Sequence, residues 1–177
     1  MVLEVPFNED IYKKQTNLIL GLYWNKILKK HKNNLIISIV FFLLGVFAIY
    51  GKGNVGYVFV IISIYGFLEF YKINTAYQKS KKEFQKIVSD EIKGQIESNQ
   101  NSIWEFNDTY FRYKDYKLDV KINWTAFKSY AIIEDNLFLN LNVGNQSSYI
   151  IAKEEIGNDS FQEVLNFVDD KIKRTSH

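Results

Sequence analysis

Two apolar runs, NNLIISIVFFLLGVFAIYG from Asn33 and GNVGYVFVIISIYGFL from Gly53, are separated by the single charge of Lys52. No other stretch restricts the possible folds so strongly. At about 1.5 Å per helical residue the first run reaches roughly 28 Å, and the second roughly 24 Å before Glu69, with Phe70 and Tyr71 extending it. A hydrocarbon core is about 30 Å thick, so both can cross a bilayer, the second with mild thinning. On insertion scales each Leu, Ile, Val or Phe contributes about −0.3 to −0.6 kcal/mol at mid-bilayer, whereas one lysine there costs about 3 kcal/mol. The absence of charge is therefore decisive. The competing reading, a helix pair in a soluble core, would show a polar face, and neither run has one. The residues Gly51, Lys52, Gly53 and Asn54 leave room only for a tight turn between antiparallel neighbours. Ser38 and Gly45 lie one heptad apart on the first run, and Gly56 and Ser63 on the second, which gives each helix a seam for close approach.

Lysine placement sets the orientation, because basic residues near the ends of spans stay on the cytoplasmic side. Lys26, Lys29, Lys30 and Lys32 precede the hairpin, and Lys72, Lys79, Lys81, Lys82 and Lys86 follow it, while Lys52 alone marks the far side. This predicts a two-pass protein of the cell (cytoplasmic) membrane with both termini in the cytoplasm. Lys29, Lys30, Lys32 and Lys72 flank the apolar runs and are the candidate headgroup contacts, at about 1 kcal/mol per lysine near an anionic surface. They serve equally well as the solvated faces of helices. Tyr23 and Trp24 fit either an anchor at headgroup depth or ordinary packing.

Composition removes several classes of function. The net charge of +2 over 177 residues gives no general attraction to nucleic acid. Lys79, Lys81, Lys82 and Lys86 are interrupted by Glu83, Asp90 and Glu91, and the arginines are Arg112 and Arg174 alone. Without cysteine there is no thiolate nucleophile, disulfide or cysteine zinc site. Histidine is limited to His31 and His177, which cannot build a triad or an ordinary zinc site. The carboxylate pairs Glu154-Glu155 and Asp169-Asp170 are adjacent, so on regular structure they diverge, and they read as solvated. No phosphate loop, GxGxxG, HExxH or calcium loop is present. The expectation is a protein that is not an enzyme, with no cofactor and no metal.

Along the chain, residues 1–32 form a cytoplasmic segment: an extended VLEVPF, then an interfacial helix that Asn8 can cap, with Glu9 and Asp10 at the positive end of its dipole. The hairpin spans 33–71. From 72 to 98 the pattern is amphipathic, with Ile73, Tyr77, Phe84, Ile87, Val88 and Ile92 on one arc and Lys79, Lys82, Lys86 and Asp90 opposite. Residues 99–177 form the soluble domain. There the period drops to two, as in Leu118, Val120, Ile122, Trp124 and in Leu137, Leu139, Leu141, Val143. Strands are predicted at 102–106, 109–113, 117–123, 127–134, 136–143 and 147–152, with turns at Asn107-Asp108, Lys114-Asp115, Asp135-Asn136 and Gly144-Asn145. Ser160 and Glu163 have the spacing of a capping box opening a last helix, whose stripe of Phe161, Val164, Leu165, Val168 and Ile172 must be buried on the sheet. The fold class is α+β: a two-helix transmembrane hairpin, then an antiparallel β-meander in the outline of a pleckstrin-homology-like barrel, closed by a C-terminal amphipathic helix.

The segment INWTAFKSYAIIEDNLFLNL, then YIIAKEEI, then FQEVLNFV, together with the hairpin before them, resembles the YcxB-like family of small bacterial membrane proteins. In that family a Pro-Lys pair often ends the last strand, where this chain has Ala152-Lys153. The resemblance implies two spanning helices before a strand-rich domain and supplies no catalytic residue. Trp124, at the end of an apolar strand face, is expected in the core, the other reading being a ring that lines a pocket. Two functions follow as expectations. One is a small cytoplasmic module held at the inner membrane face, binding a protein, a peptide or a lipid headgroup. The other is a structural or protective membrane partner acting through the hairpin. The bilayer is the expected partner in both, with a protein partner of unspecified identity.

Overall fold

Asn8 opens the first helix as expected, its side-chain oxygen accepting the backbone N–H groups of Asp10 (3.0 Å) and Ile11 (3.2 Å). In the computed structural model, which describes residues 1–142 and 148–172, this helix, α1, runs unbroken over Glu9–Tyr50. After the tight turn, α2 runs over Val55–Ser98. Neither helix breaks at residues 32/33 or 71/72, where the composition changes. Two compact units result: residues 17–87, and residues 1–16 together with 88–177.

In the unit of residues 17–87 the two helices pack antiparallel. Trp24 meets Tyr77 with ring centroids 5.4 Å apart, and Phe41 stacks on Phe59 at 5.7 Å. Gly66 lies against Ser38, and Gly45 against Gly56. The expected seam of Ser38, Gly45, Gly56 and Ser63 is therefore formed, and all four residues are buried. The two hydroxyls return to their own helices, Ser38 to the Asn34 carbonyl and Ser63 to that of Val60, so both are satisfied within the seam. At the turn, Gly53 N–H donates to the Ala48 carbonyl and Lys52 N–H to that of Ile49. This is a Schellman closure, with Lys52 at φ 59° in the left-handed position where glycine is usual.

The other unit holds two antiparallel sheets. The first has strand order β1-β2-β3-β4, formed by Val2–Val5, Ser102–Phe106, Tyr110–Lys114 and Asp119–Asn123. The second has order β5-β6-β7, formed by Phe127–Ile133, Asn136–Leu141 and Ser148–Ala152. A short 3-10 turn at Trp124–Ala126 separates them, so no single ladder runs through the expected meander and neither sheet is closed among the described residues. The seventh strand among the described residues comes from the N-terminus: Val2 pairs with Glu105 and Val5 with Ser102. Val143, the Gly144-Asn145 turn, Ser147, Arg174 and His177 lie outside the described residues.

Two expectations require correction. Leu118 is not on the buried face of β4 but 51% exposed, because the Asp115 carboxylate accepts the N–H groups of Lys117 and Leu118 and holds 115–118 as a turn. The last helix does not start at a Ser160 cap. The short α3, Lys153–Ile156, is followed at Gly157 (φ 79°) by α4, Asn158–Lys171, which places Ser160 and Glu163 inside the helix. Its stripe is buried as expected. Phe161, Val164, Val168 and Ile172 join Phe106, Phe111, Leu137, Leu139 and Ile151 in one core shared by both sheets and α4.

Candidate functional site

The hairpin displays its apolar side chains instead of covering them. Both helices are long and apolar enough to cross a membrane, and only 11% of the most apolar window of each is buried. Leu43, Phe47, Ile61 and Leu68 are all more than half exposed. That surface has no solvated polar face to pair with water, so it suits hydrocarbon. The packing contacts fix one antiparallel register, in which residues 29–32 fall level with residues 69–72. Lys29, Lys30, Lys32 and Lys72 are thereby brought to the same end of the apolar slab, all exposed and, among the described residues, in no ion pair. At the other end stands Lys52. Trp24 does not act as an exposed anchor: it is buried against Tyr77, and among the described residues its indole N–H has no hydrogen-bond partner. Tyr23, beside it, is exposed.

Trp124 lies in the core. It is 8% exposed, packed against Phe127 at 5.5 Å and Phe167 at 5.9 Å, and its indole N–H donates to the Asn107 carbonyl at 2.7 Å. A buried ring with its polar handle satisfied by the backbone is a structural tryptophan. Trp104, Phe106, Phe111 and Tyr113 fill the same interior, whereas Tyr110 faces outward beneath Lys121, whose ammonium sits 3.5 Å from the ring centroid.

Glu155 is the residue that sequence reasoning misjudged. It is half-buried and accepts the Ala152 N–H at 2.7 Å and the Gln15 side-chain amide at 2.9 Å. Burial pushes its carboxyl above the ordinary glutamate value, and the two hydrogen bonds pull it partway back. Its signal was local, a glutamate three residues after the end of a strand, where it can hold the first free N–H of a helix. Glu154 diverges from it, as expected, to an exposed ion pair with Lys14 at 3.0 Å. Nearby, Tyr113 donates to Asp115 at 3.0 Å, and burial first, then Asp115, pushes its phenol far up. Glu91 accepts both Tyr116 and Lys117 at 3.0 Å. On the outer sheet face Arg112 makes a two-pronged contact with Asp119, at 2.8 Å on each prong, and its hydrogen bonds hold that carboxyl below its usual range.

These carboxylates and phenols are paired with one another and with backbone, so each has its charge or proton already engaged. Among the described residues no group of three or more His, Cys, Asp or Glu converges to hold a metal ion. In comparisons with protein-family models, with curated proteins and with solved structures, no match to this chain was found.

Proposed function

We propose that this chain is a YcxB-like two-pass protein of the cytoplasmic membrane that presents a small binding module to the cytoplasm, without enzymatic activity. The observation that carries the reading is the apolar slab, exposed on all sides of the hairpin and bounded at one end by Lys29, Lys30, Lys32 and Lys72 and at the other by Lys52 alone. A slab of that kind is stable in hydrocarbon, and the basic end stays inside. Lys29, Lys30, Lys32 and Lys72 then face anionic headgroups.

For the module, a pleckstrin-homology-like arrangement is supported by four strands, then three, each sheet a sequential antiparallel meander, with a C-terminal helix packed into the shared core. In this reading the hairpin is an insertion between the first two strands. The module's contact surfaces are its strand edges, β1 and β4 in one sheet and β5 and β7 in the other, where an extended peptide can add as a further strand, and the gap beside α4. The carboxylates and phenols being engaged internally supports binding over catalysis.

Carbonate washing of membranes tests the anchoring: the full-length chain stays in the pellet, and release into the supernatant overturns the reading. A reporter active only outside the cytoplasm, fused after His177, stays silent; activity there reverses the orientation. Exchanging the hairpin for an unrelated two-span anchor keeps partner capture if the module binds. If capture is lost, the hairpin itself is the binding surface, the structural or protective role.

A further inference from the structure

The polar limits of the slab fall at the same level on both helices. The register fixed by Trp24 on Tyr77, Phe41 on Phe59 and Gly45 on Gly56 brings Lys32 on α1 level with Glu69 on α2. At about 1.5 Å per residue the stretch from Leu35, beyond the polar Asn33 and Asn34, to the end of α1 at Tyr50 is roughly 24 Å long, and that from the start of α2 at Val55 to Leu68, before Glu69, roughly 21 Å. The close-packed seam prevents one helix from sliding along the other to lengthen the slab. Gly45 and Gly56 are locked backbone to backbone, since a Cβ on Gly56 would stand 2.6 Å from the Gly45 carbonyl oxygen. Tilting makes matters worse, because a tilted rod presents less height along the membrane normal.

We propose that the hairpin is matched to a bilayer with a hydrocarbon core of roughly 21–25 Å, thinner than the average of about 30 Å, and that it favours short-chain phospholipid around itself. This rests on the membrane reading above and names the lipid that reading leaves open. In an average bilayer the same geometry draws the two leaflets inward around the hairpin.

The test uses the full chain reconstituted in vesicles of phosphatidylcholine with monounsaturated chains of fourteen to twenty-two carbons. None of Trp24, Trp104 and Trp124 lies in the slab, so the reporter is Leu43→Trp, at a side chain 62% exposed near mid-slab. Its quenching by a brominated lipid, in competition with unbrominated lipid of each length, reads relative affinity. The expected result is several-fold tighter association with the fourteen- and sixteen-carbon lipids than with the twenty-two-carbon lipid. Glu69→Leu, which moves the α2 boundary out to Lys72, shifts the optimum to longer chains. A flat profile, or an optimum at eighteen carbons or beyond, overturns the thickness proposal and leaves the membrane reading standing. No quenching in any lipid, with the reporter water-exposed, overturns both. No quenching with chemically crosslinked dimers assigns the face to a second copy and overturns the proposal.

Discussion

The helix seam makes a sharp prediction at Gly56. A Cβ added there would lie 2.6 Å from the Gly45 carbonyl oxygen and 2.8 Å from the Ile49 backbone nitrogen, whereas real Cβ atoms essentially never come within 3.0 Å. Even if the Ile49 side chain, whose Cγ1 would stand 2.7 Å away, turns aside, these two obstacles are backbone and cannot, so the helices must part by about 0.4 Å for contact, or about 0.8 Å for comfort. A gap of that size forfeits a quarter to a half of each dispersion contact along the seam, including Ser38 on Gly66 and Phe41 on Phe59. Overpacking of this kind costs about 1–3 kcal/mol, against a helix-propensity gain of at most about 1 kcal/mol from replacing glycine. Gly21 supplies the control, because a Cβ there meets nothing nearer than the Asn25 side chain at 3.7 Å. Unfolding midpoints in detergent micelles, followed by helical circular dichroism, should fall for Gly56→Ala, fall further for Gly56→Leu, and rise for Gly21→Ala. If Gly56→Ala proves as stable as Gly21→Ala, the helices do not approach closely at that level and the register built on it is wrong.

Lys52 holds a left-handed backbone at φ 59°, so Lys52→Gly should stabilise the turn by roughly 1 kcal/mol while Lys52→Ala does not, measured by the same titration. Trp124→Phe keeps most of the ring but frees the Asn107 carbonyl, costing about 1–2 kcal/mol, and Trp124→Ala should cost about 3–5 kcal/mol; an alanine variant as stable as the parent would remove this ring from the core. The folded-state value of the Glu155 carboxyl lies above the ordinary 4.5, so the folded chain binds that proton more readily than the unfolded chain. Stability from this group is therefore greatest at low pH and declines as pH rises from 4.5 through the raised value. Glu155→Gln, which can still accept the Ala152 N–H, should abolish that decline, whereas Glu155→Ala should lose about 0.5–2 kcal/mol at every pH; equal pH profiles for parent and Gln variant would contradict the burial argument.

What the amino-acid order revealed and what it hid divide along a physical line. The hairpin, its tight turn, the small-residue seam and the lysines at one end were all legible, because each is a local property of composition or of a seven-residue spacing. So were the boundaries of β2 and the stripe of α4. The pairing of β1 with β2 was not, since Val2–Val5 is separated from Ser102–Phe106 by both long helices and a contact at that range leaves no local mark. Leu118 and Ser160 were misplaced for a related reason. At each, a stronger local arrangement, the Asp115 turn in one case and the Gly157 joint between α3 and α4 in the other, displaced a pattern that was present in the sequence. Glu155 was overlooked because adjacent glutamates read as solvent-facing, and the side chain that donates to it, Gln15, is far away in the chain.

The continuity of α2 follows from a single feature that the change in composition disguises. Gly56, Ser63, Phe70, Tyr77 and Phe84 recur every seven residues, and each is buried or half-buried. On α1 the facing series is Trp24, His31, Ser38 and Gly45, likewise buried or half-buried, while Lys30 and Lys32 on either side of His31 are exposed. Small residues occupy the seam where the outer surface is hydrocarbon-like, and aromatic residues occupy it where the outer surface turns to lysine and glutamine. The difference has a cause: in lipid, helix association depends on close backbone contact, because burying an apolar side chain gains little there. In water the same seam is held by apolar area withdrawn from solvent, which large rings supply. One heptad phase thus suits either solvent. The apolar run and the amphipathic run, which look like separate segments by composition, are a single helix by geometry.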